Sequence, residues 1–255
     1  MRDSAFPRIS SPVAGVLPIL IAWALLFHLF LHPGEACGSP SEPRVQAVDT
    51  FAAGPGQEKE GVPAGWTLEG KYGPQSGILL RGKEGGYLIL ASVSDSFGLK
   101  KEIALDPSKF PRLSWQWRVV RHPAGGDIRQ KTRDDQAGQV YVIFGKFPLF
   151  LHYRALGYIW DPTAPVGYKG ASRTYPRMKY RVIRSGTAGL DQWMEESRDI
   201  QADFRTVFQE EPPPVAGLIL FINTQFTGSS AECHYRNILF GERPTGSTRP
   251  EKNPE

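Results

Sequence analysis

The chain has little of what most metal-dependent and redox proteins depend on. It contains two cysteines, Cys37 and Cys233, and five histidines among 255 residues. No Cys-x-x-Cys pair, His-Glu-x-x-His pattern, Gly-x-Ser-x-Gly nucleophile elbow or phosphate-binding glycine loop is present. Zinc fingers, zincin-type proteases, α/β-hydrolases and P-loop enzymes are therefore poor interpretations. A bridge between Cys37 and Cys233 would be permitted in an oxidising compartment, whereas a buried thiol at Cys233 is the alternative that we favour.

A long run of basic residues is also absent. The 30 Lys and Arg almost balance the 26 Asp and Glu, which leaves a net charge of +4 and a pI near 9.0. Nucleic-acid binding requires a clustered basic face, so we expect no nucleic-acid partner. The mild positive charge still allows weak attraction to anionic membrane surfaces or acidic glycans.

Residues 1–36 have the layout of an export segment. Arg2 and Arg8 precede an apolar run over 13–31, and small residues follow at Gly34, Ala36 and Gly38. This order is typical of a secretory signal cleaved after Ala36 or Gly38. The run is also long enough for an uncleaved membrane anchor, and a lipidated Cys37 is a third reading. We expect an exported protein, periplasmic or extracellular, that meets the membrane only if this segment is retained.

The rest of the chain is typical of one all-β domain over residues 45–240. Glycine (27) and proline (22) are spread between short apolar runs, as in strands joined by turns. Strands are predicted at Val45–Phe51, Trp66–Leu68, Gly77–Arg81, Gly86–Ser92, Gly98–Leu105, Leu113–Val119, Gln139–Phe144, Phe150–Trp160, Met178–Arg184, Gln192–Arg198, Val215–Ile222 and Ala231–Phe240. Residues 37–44 are expected to be a flexible lead-in and residues 241–255 a disordered tail.

One segment switches to helical spacing. Ile200, Phe204, Val207 and Phe208 share one face of a helix, and Pro212 to Pro214 end it. Many short strands and one short helix predict a two-sheet antiparallel β-sandwich. The strands Leu113–Val119 and Gln139–Phe144, with the charged loop between them, are expected to form a hairpin-like unit.

Aromatic residues supply the first candidate site. Side chains that could stack on sugar rings are Trp115, Trp117, Tyr141, Tyr158, Trp160 and Trp193. The alternation of Leu113–Val119 favours Trp115 and Trp117 as core residues, which places Gln116 and Arg118 on the opposite face. We therefore expect a ligand-binding groove formed by Gln116 and Arg118 with Arg154, Tyr158 and Trp160 from a neighbouring strand.

The loop 127–135 supplies a second candidate site. Its carboxylates Asp127, Asp134 and Asp135 could provide oxygen ligands for Ca²⁺. Alternatively, they bind nearby backbone N–H groups in a solvated turn. Interleaved Arg129, Lys131 and Arg133 bring the loop close to neutral, which favours the second reading.

Several motifs resemble one bacterial exported family, the domain of unknown function 3047. They are Leu113–Val119, Asp134-Asp135, Tyr158-Ile159-Trp160, Arg184-Ser185-Gly186, Glu196-Ser197-Arg198-Asp199-Ile200, Asp203-Phe204, Glu210-Glu211-Pro212-Pro213 and Thr227-Gly228-Ser229-Ser230. The resemblance implies a jelly-roll-like sandwich similar in outline to carbohydrate-binding modules. It implies no established activity and no site residues.

Three functions fit these observations. The first is non-catalytic binding of a carbohydrate or envelope polymer by an exported sandwich. The second is a sandwich enzyme acting on polysaccharide, which would need two carboxylates converging on one groove. The third is a structural or interaction protein of the cell envelope. We favour the first and expect no catalytic residues.

Overall fold

A computed structural model describes residues 44–145, 153–173 and 175–242. Its fourteen strands are β1 (Val45–Asp49), β2 (Glu58–Glu60), β3 (Thr67–Lys71), β4 (Gly77–Arg81), β5 (Tyr87–Val93), β6 (Ser96–Leu105), β7 (Arg112–Arg121), β8 (Gly138–Phe144), β9 (Arg154–Asp161), β10 (Lys169–Ala171), β11 (Met178–Ser185), β12 (Met194–Asp199), β13 (Val215–Asn223) and β14 (Ser230–Gly241). Helix α1 (Ile200–Phe208) and a 3-10 turn (Lys131–Arg133) complete the elements.

The strands form two sheets of seven. Sheet A has the order β12-β7-β14-β5-β4-β2, with β1 paired to the C-terminal half of β14. Sheet B has the order β10-β11-β9-β8-β13-β6-β3. Neighbouring strands are antiparallel except for β9 and β11, which are parallel. The predicted β-sandwich with one short helix is confirmed.

The core lies between the two sheets, because each strand turns one set of alternate side chains inward. Trp115 and Trp117 of β7 meet Tyr158 and Trp160 of β9 there, with ring centroids 5.4 and 5.8 Å apart. A second apolar cluster covers part of the outer face of sheet B and includes Tyr141, Ile159 and Tyr180.

Helix α1 links the two sheets at one end of the core. Asp199 is its N-cap and accepts a hydrogen bond from the Ala202 backbone N–H at 2.9 Å. Phe204 contacts Phe144 and Phe208, with centroids 4.6 and 4.5 Å away. The predicted helical face is confirmed. No helix within the described ranges is long and apolar enough to cross a bilayer.

The hairpin-like pairing of β7 and β8 is wrong. β7 lies in sheet A between β12 and β14, whereas β8 lies in sheet B between β9 and β13. The loop between them therefore crosses from one sheet to the other. Two strands, β2 and β10, lie in segments predicted as loops. Both contain only three residues and carry lysine, which is typical of short edge strands.

Two other expectations fall wholly or partly outside the described residues. Residues 1–43 and 243–255 include the export segment, most of the lead-in and most of the tail. Cys37 lies there too, while Cys233 is a buried free thiol whose pKa is raised by burial.

Candidate functional site

Strand β7 directs its polar side chains to the outer face of sheet A. Trp115 and Trp117 point into the core, so Gln116 and Arg118 point outward. Gln116 lies opposite Glu195 of β12 and Arg236 of β14, and Arg118 lies opposite His234 of β14. The expectation that these two residues lie on the face opposite the tryptophans is confirmed.

Hydrogen bonds connect Gln116 and Arg118 to their neighbours. The Gln116 carbonyl oxygen accepts from Arg236 Nε at 2.7 Å, and its amide donates to Glu195 Oε2 at 3.4 Å. Arg118 Nε donates to Asp191 Oδ1 at 2.8 Å. Asp191 is in the left-handed region at φ 59°, just before the strand that borders β7. The polar side chains of this face are thus held in place by one another.

Trp193 lies on this face beside Arg236. Its Nε1 donates to Glu84 Oε2 at 2.9 Å, and the Arg236 guanidinium lies 4.1 Å from the ring centroid. Tyr87 packs edge-on at 5.5 Å and 72°. Four of the five tryptophans in the described ranges are buried, whereas Trp193 is half-buried. We call Trp193, Gln116, Arg118, Arg236 and Glu84 the Trp193 face.

A buried aromatic pair supports this face. Tyr87 and His234 stack with centroids 5.1 Å apart at 19°, and both side chains are buried. His234 Nε2 lies 2.7 Å from Glu232 Oε1, and this hydrogen bond is the main reason that the pKa of Glu232 is lowered. His234 Nδ1 has no hydrogen-bond partner within the described ranges. Tyr87 and His234 both lie against the Trp193 ring, with ring centroids 5.5 and 6.3 Å away.

Arg154 does not join the Trp193 face. It begins β9 in sheet B, where its guanidinium bonds to Glu210 Oε1 at 3.1 Å and to the Tyr153 carbonyl at 3.4 Å. The proposed groove containing both Arg118 and Arg154 is therefore not formed, because the two residues belong to different sheets.

The expectation that Tyr158 and Trp160 contact a ligand needs correction. Both side chains have 0% exposure, because β9 turns them inward against Trp115 and Trp117. Trp160 Nε1 donates to the Gly186 carbonyl at 3.1 Å. Burial raises the pKa of Tyr158 well above its ordinary value. They are core residues, and a ligand on either outer face does not reach them.

The three aspartates of the β7–β8 loop have separate surroundings. Asp127 accepts from the Arg129 side chain at 2.8 and 2.9 Å, and this contact is the main reason that its pKa falls to about 2. Asp135 accepts from the backbone N–H groups of Phe226 and Thr227 at 3.2 and 2.6 Å. Both carboxylates are buried, so the loop is anchored rather than solvated.

Asp134 is the exception within that loop. It is half-buried, and burial raises its pKa to about 6. Its Oδ1 accepts from Gln136 Nε2 at 3.2 Å. No three His, Cys, Asp or Glu side chains there converge on a possible metal ion. The predicted Ca²⁺ site at Asp127, Asp134 and Asp135 is thus not assembled, and backbone anchoring describes Asp127 and Asp135 better.

The residues that sequence reasoning missed are the neighbours of Trp193. Glu84 and Tyr87 lie on one stretch of the chain and His234 and Arg236 on another, both far from Trp193, and only strand order brings them together. The one sequence signal that pointed to this face was the alternation of β7, which places Gln116 and Arg118 on the side opposite Trp115 and Trp117. Trp193 was among the aromatic candidates, but no pattern assigned it to a face.

A family model described as "protein of unknown function (DUF3047)" matches residues 78–239, which include strands of both sheets and every residue of the Trp193 face. The chain belongs to the DUF3047 family. This finding confirms the resemblance drawn from the sequence motifs. No curated protein matches this DUF3047 chain in sequence.

Several solved structures share part of the strand arrangement of this DUF3047 protein. A family 29 carbohydrate-binding module from Piromyces equi is 10% identical, with a TM-score of 0.36, over 82% of this chain and 96% of its own. The xyloglucanase domain of NopAA, a type three effector from Sinorhizobium fredii solved with cellobiose, is 10% identical with a TM-score of 0.41. That match covers 80% of this chain and 100% of the domain.

Proposed function

We propose that this DUF3047 protein binds carbohydrate without catalysis, and that the Trp193 face is its binding surface. The observation that carries the proposal is the half-buried indole of Trp193, fixed by Glu84 and Arg236 and surrounded by polar side chains. A sugar ring has an apolar C–H face and a rim of hydroxyl groups. An immobile aromatic ring beside hydrogen-bonding groups is suited to both parts.

The polar groups around Trp193 are suited to hydroxyl recognition. Gln116 presents an amide, Arg118 and Arg236 present guanidinium N–H donors, and Glu195 presents an exposed carboxylate. Their mutual hydrogen bonds preorganise them, which lowers the entropy lost when a ligand binds. A sugar hydroxyl donates and accepts, so it can bond to both kinds of group.

The carboxylates of this face support binding more than hydrolysis. A glycoside hydrolase needs a proton-donating carboxyl group and a second carboxylate that acts as nucleophile or base. Here Glu84 accepts from Trp193, Asp191 accepts from Arg118, and Glu232 bonds to His234. The pKa values of Glu84 and Glu232 are both lowered, which is the wrong direction for a general acid.

The direct test is calorimetric titration of the full chain with soluble polysaccharides. We expect saturable binding of at least one polymer and a loss of affinity of at least about tenfold in Trp193→Ala, equivalent to about 1.4 kcal/mol. Tyr175→Ala is the matched control, because Tyr175 is exposed and belongs to sheet B's hairpin segment rather than the Trp193 face. A fold check by thermal unfolding accompanies both variants. Equal affinity in wild type and Trp193→Ala would refute the assigned surface.

Export belongs to the same proposal. The basic start, apolar run and small residues of 1–38 support cleavage by signal peptidase, and a glycan-binding surface would meet its polymers outside the cytoplasm. N-terminal sequencing of protein recovered from the periplasmic or culture fraction tests this step. A start at Cys37 or Ser39 is expected, whereas an intact Met1 in the membrane fraction would indicate an anchor.

A further inference from the structure

We propose that the Trp193 face selects neutral glycans and rejects acidic ones, an inference that rests on the proposed carbohydrate binding. The reason is the one-to-one pairing of arginine with carboxylate across the outer face of sheet A. The expected ligand is an uncharged polysaccharide chain, recognised through ring stacking and hydroxyl hydrogen bonds.

Every arginine on this face has a carboxylate within reach. Arg118 lies 2.8 Å from Asp191, and Arg81 lies 2.7 Å from Glu58 on the next strands. Two looser pairs complete the surface: Arg236 with Glu84 at 3.8 Å and Arg121 with Glu232 at 3.9 Å. Arg236 and Glu84 also contact Trp193, and Arg118 lies on β7 beside β12, whereas Arg81 and Glu58 lie on β4 and β2 toward the far edge of the sheet.

The remaining charges do not add a positive field. On or beside this face the basic side chains are Arg81, Lys83, Arg112, Arg118, Arg121 and Arg236, and the acidic ones are Glu58, Glu60, Glu84, Asp191, Glu195, Asp199 and Glu232. The acidic groups outnumber the basic groups by one. The positive net charge of the chain therefore has its source elsewhere.

Sheet B and the β7–β8 loop differ from the Trp193 face in carrying exposed cations without a paired carboxylate. Lys131, Arg133 and Lys169 are exposed and form no ion pair within the described ranges, and exposed Arg173 donates to the Arg129 carbonyl. If the protein were built for acidic polymers, such unpaired cations would be expected beside the aromatic platform. These cations lie instead on sheet B and on the β7–β8 loop. Lys83, the exposed cation beside the platform, adjoins Glu84 and helps to lower the pKa of that carboxyl.

The pairing penalises an acidic ligand for two reasons. A uronate carboxylate would meet guanidinium groups whose charge Asp191 or Glu84 already balances, so it would gain little net attraction. It would also approach the other carboxylates of the face, and such like-charge contacts oppose binding. A neutral hydroxyl group displaces nothing, because guanidinium N–H groups and carboxylate lone pairs outside the existing bonds remain available.

The first test compares polymers and salt with the full chain. Hydroxyethylcellulose, xylan and glucomannan are the neutral probes, and polygalacturonate and alginate are the acidic probes. We expect binding to a neutral probe whose affinity changes less than about twofold between roughly 20 and 300 mM NaCl, because no net charge is neutralised. Preference for an acidic probe, or a tenfold loss with salt, would overturn this inference. Binding to no probe would instead refute the proposed carbohydrate function.

The second test removes the carboxylate that is paired with Arg118. Asp191→Asn removes the partner of Arg118 at a position where the carboxylate is 61% exposed and φ is 59°, which asparagine tolerates well. We expect this variant to gain polygalacturonate binding of at least about tenfold that disappears in high salt. Asp106→Asn is the control, since Asp106 is an exposed carboxylate that accepts from the Ser108 backbone N–H and hydroxyl in a turn after β6. No gain in Asp191→Asn would contradict charge pairing as the source of selectivity.

Discussion

Replacement of Asp134 by asparagine is expected to stabilise the protein at neutral pH. The folded protein raises the pKa of Asp134 from 3.8 to about 6, mainly because the carboxyl is half-buried. The nearby charges of Asp135 and Asp161 act in the same direction, while Arg173 and the Gln136 hydrogen bond oppose them. Ionised Asp134 therefore destabilises the native state, and asparagine keeps the shape and the acceptor oxygen without the charge.

The size of the stabilisation follows from the difference between the folded and unfolded pKa values of Asp134. Each pKa unit corresponds to about 1.4 kcal/mol, so the difference sets a ceiling of about 3 kcal/mol. Solvent reaches part of Asp134 and screens its charge, so we expect about 1 kcal/mol. Because the folded pKa is the higher one, this group's destabilisation is absent below pH 3.8 and complete above about 6. Asp134→Asn should thus raise the free energy of unfolding at pH 8 and leave it nearly unchanged at pH 3.5.

Urea unfolding of wild type and Asp134→Asn at both pH values measures the difference. About 1 kcal/mol at pH 8 corresponds to a rise in Tm of about 2–4 °C for a protein of this size. Asp106→Asn is the control, because hydrogen bonds to Ser108 lower the pKa of that exposed carboxyl and no stabilisation is expected. Destabilisation by Asp134→Asn at pH 8, or an equal effect at both pH values, would refute the reasoning.

Three further predictions concern the fold. Asp203→Ala should lower the free energy of unfolding by about 3 kcal/mol or more. Buried Asp203 accepts from Arg198 at 3.0 Å and from Arg181 at 3.1 Å, so its removal leaves buried arginine charge without this carboxylate. A urea midpoint near that of wild type would contradict this. Gly157→Ala should cost about 1–3 kcal/mol, since its Cβ would lie 2.4 Å from Tyr141 Cε1, and thermal unfolding measures the loss. Asp127→Asn should flatten the pH dependence of the free energy of unfolding between about pH 4 and 2. The ionised Asp127 carboxylate stabilises the fold above that range, and its protonation removes the effect. An unchanged acid-unfolding curve would argue against this role.

The strands could be predicted from the sequence because apolar and polar residues alternate along each of them. The alternation over 113–119 placed Trp115 and Trp117 on one face and Gln116 and Arg118 on the other, as the structure has them. The same logic placed Tyr158 and Trp160 together on β9. It could not tell which face of β9 is internal, and both residues are in the core.

The pairing of strands that are distant in the sequence could not be predicted. Neighbouring strands were expected to form a hairpin, but β7 pairs with β14 and β12, which follow it by more than seventy residues. Register between such distant segments depends on the whole sheet rather than on a turn. The Trp193 face depends on that register, because Gln116, Arg236 and Tyr87 are on three adjacent strands. Sequence reasoning therefore named Trp193 and the outward-facing Gln116 and Arg118, but it could not bring them together and it missed Glu84 and Arg236.

The fluorescence of Trp193 offers the most direct measurement of the central claim. The four other described tryptophans are buried, so a polymer on this face should perturb the half-buried indole selectively. During titration of the full chain with the best-bound neutral polysaccharide, we expect a saturable change in emission that is absent in Trp193→Phe, whose smaller ring still supports weaker binding. A response that persists in Trp193→Phe, or no response while calorimetry shows wild-type binding, would contradict carbohydrate recognition at the Trp193 face.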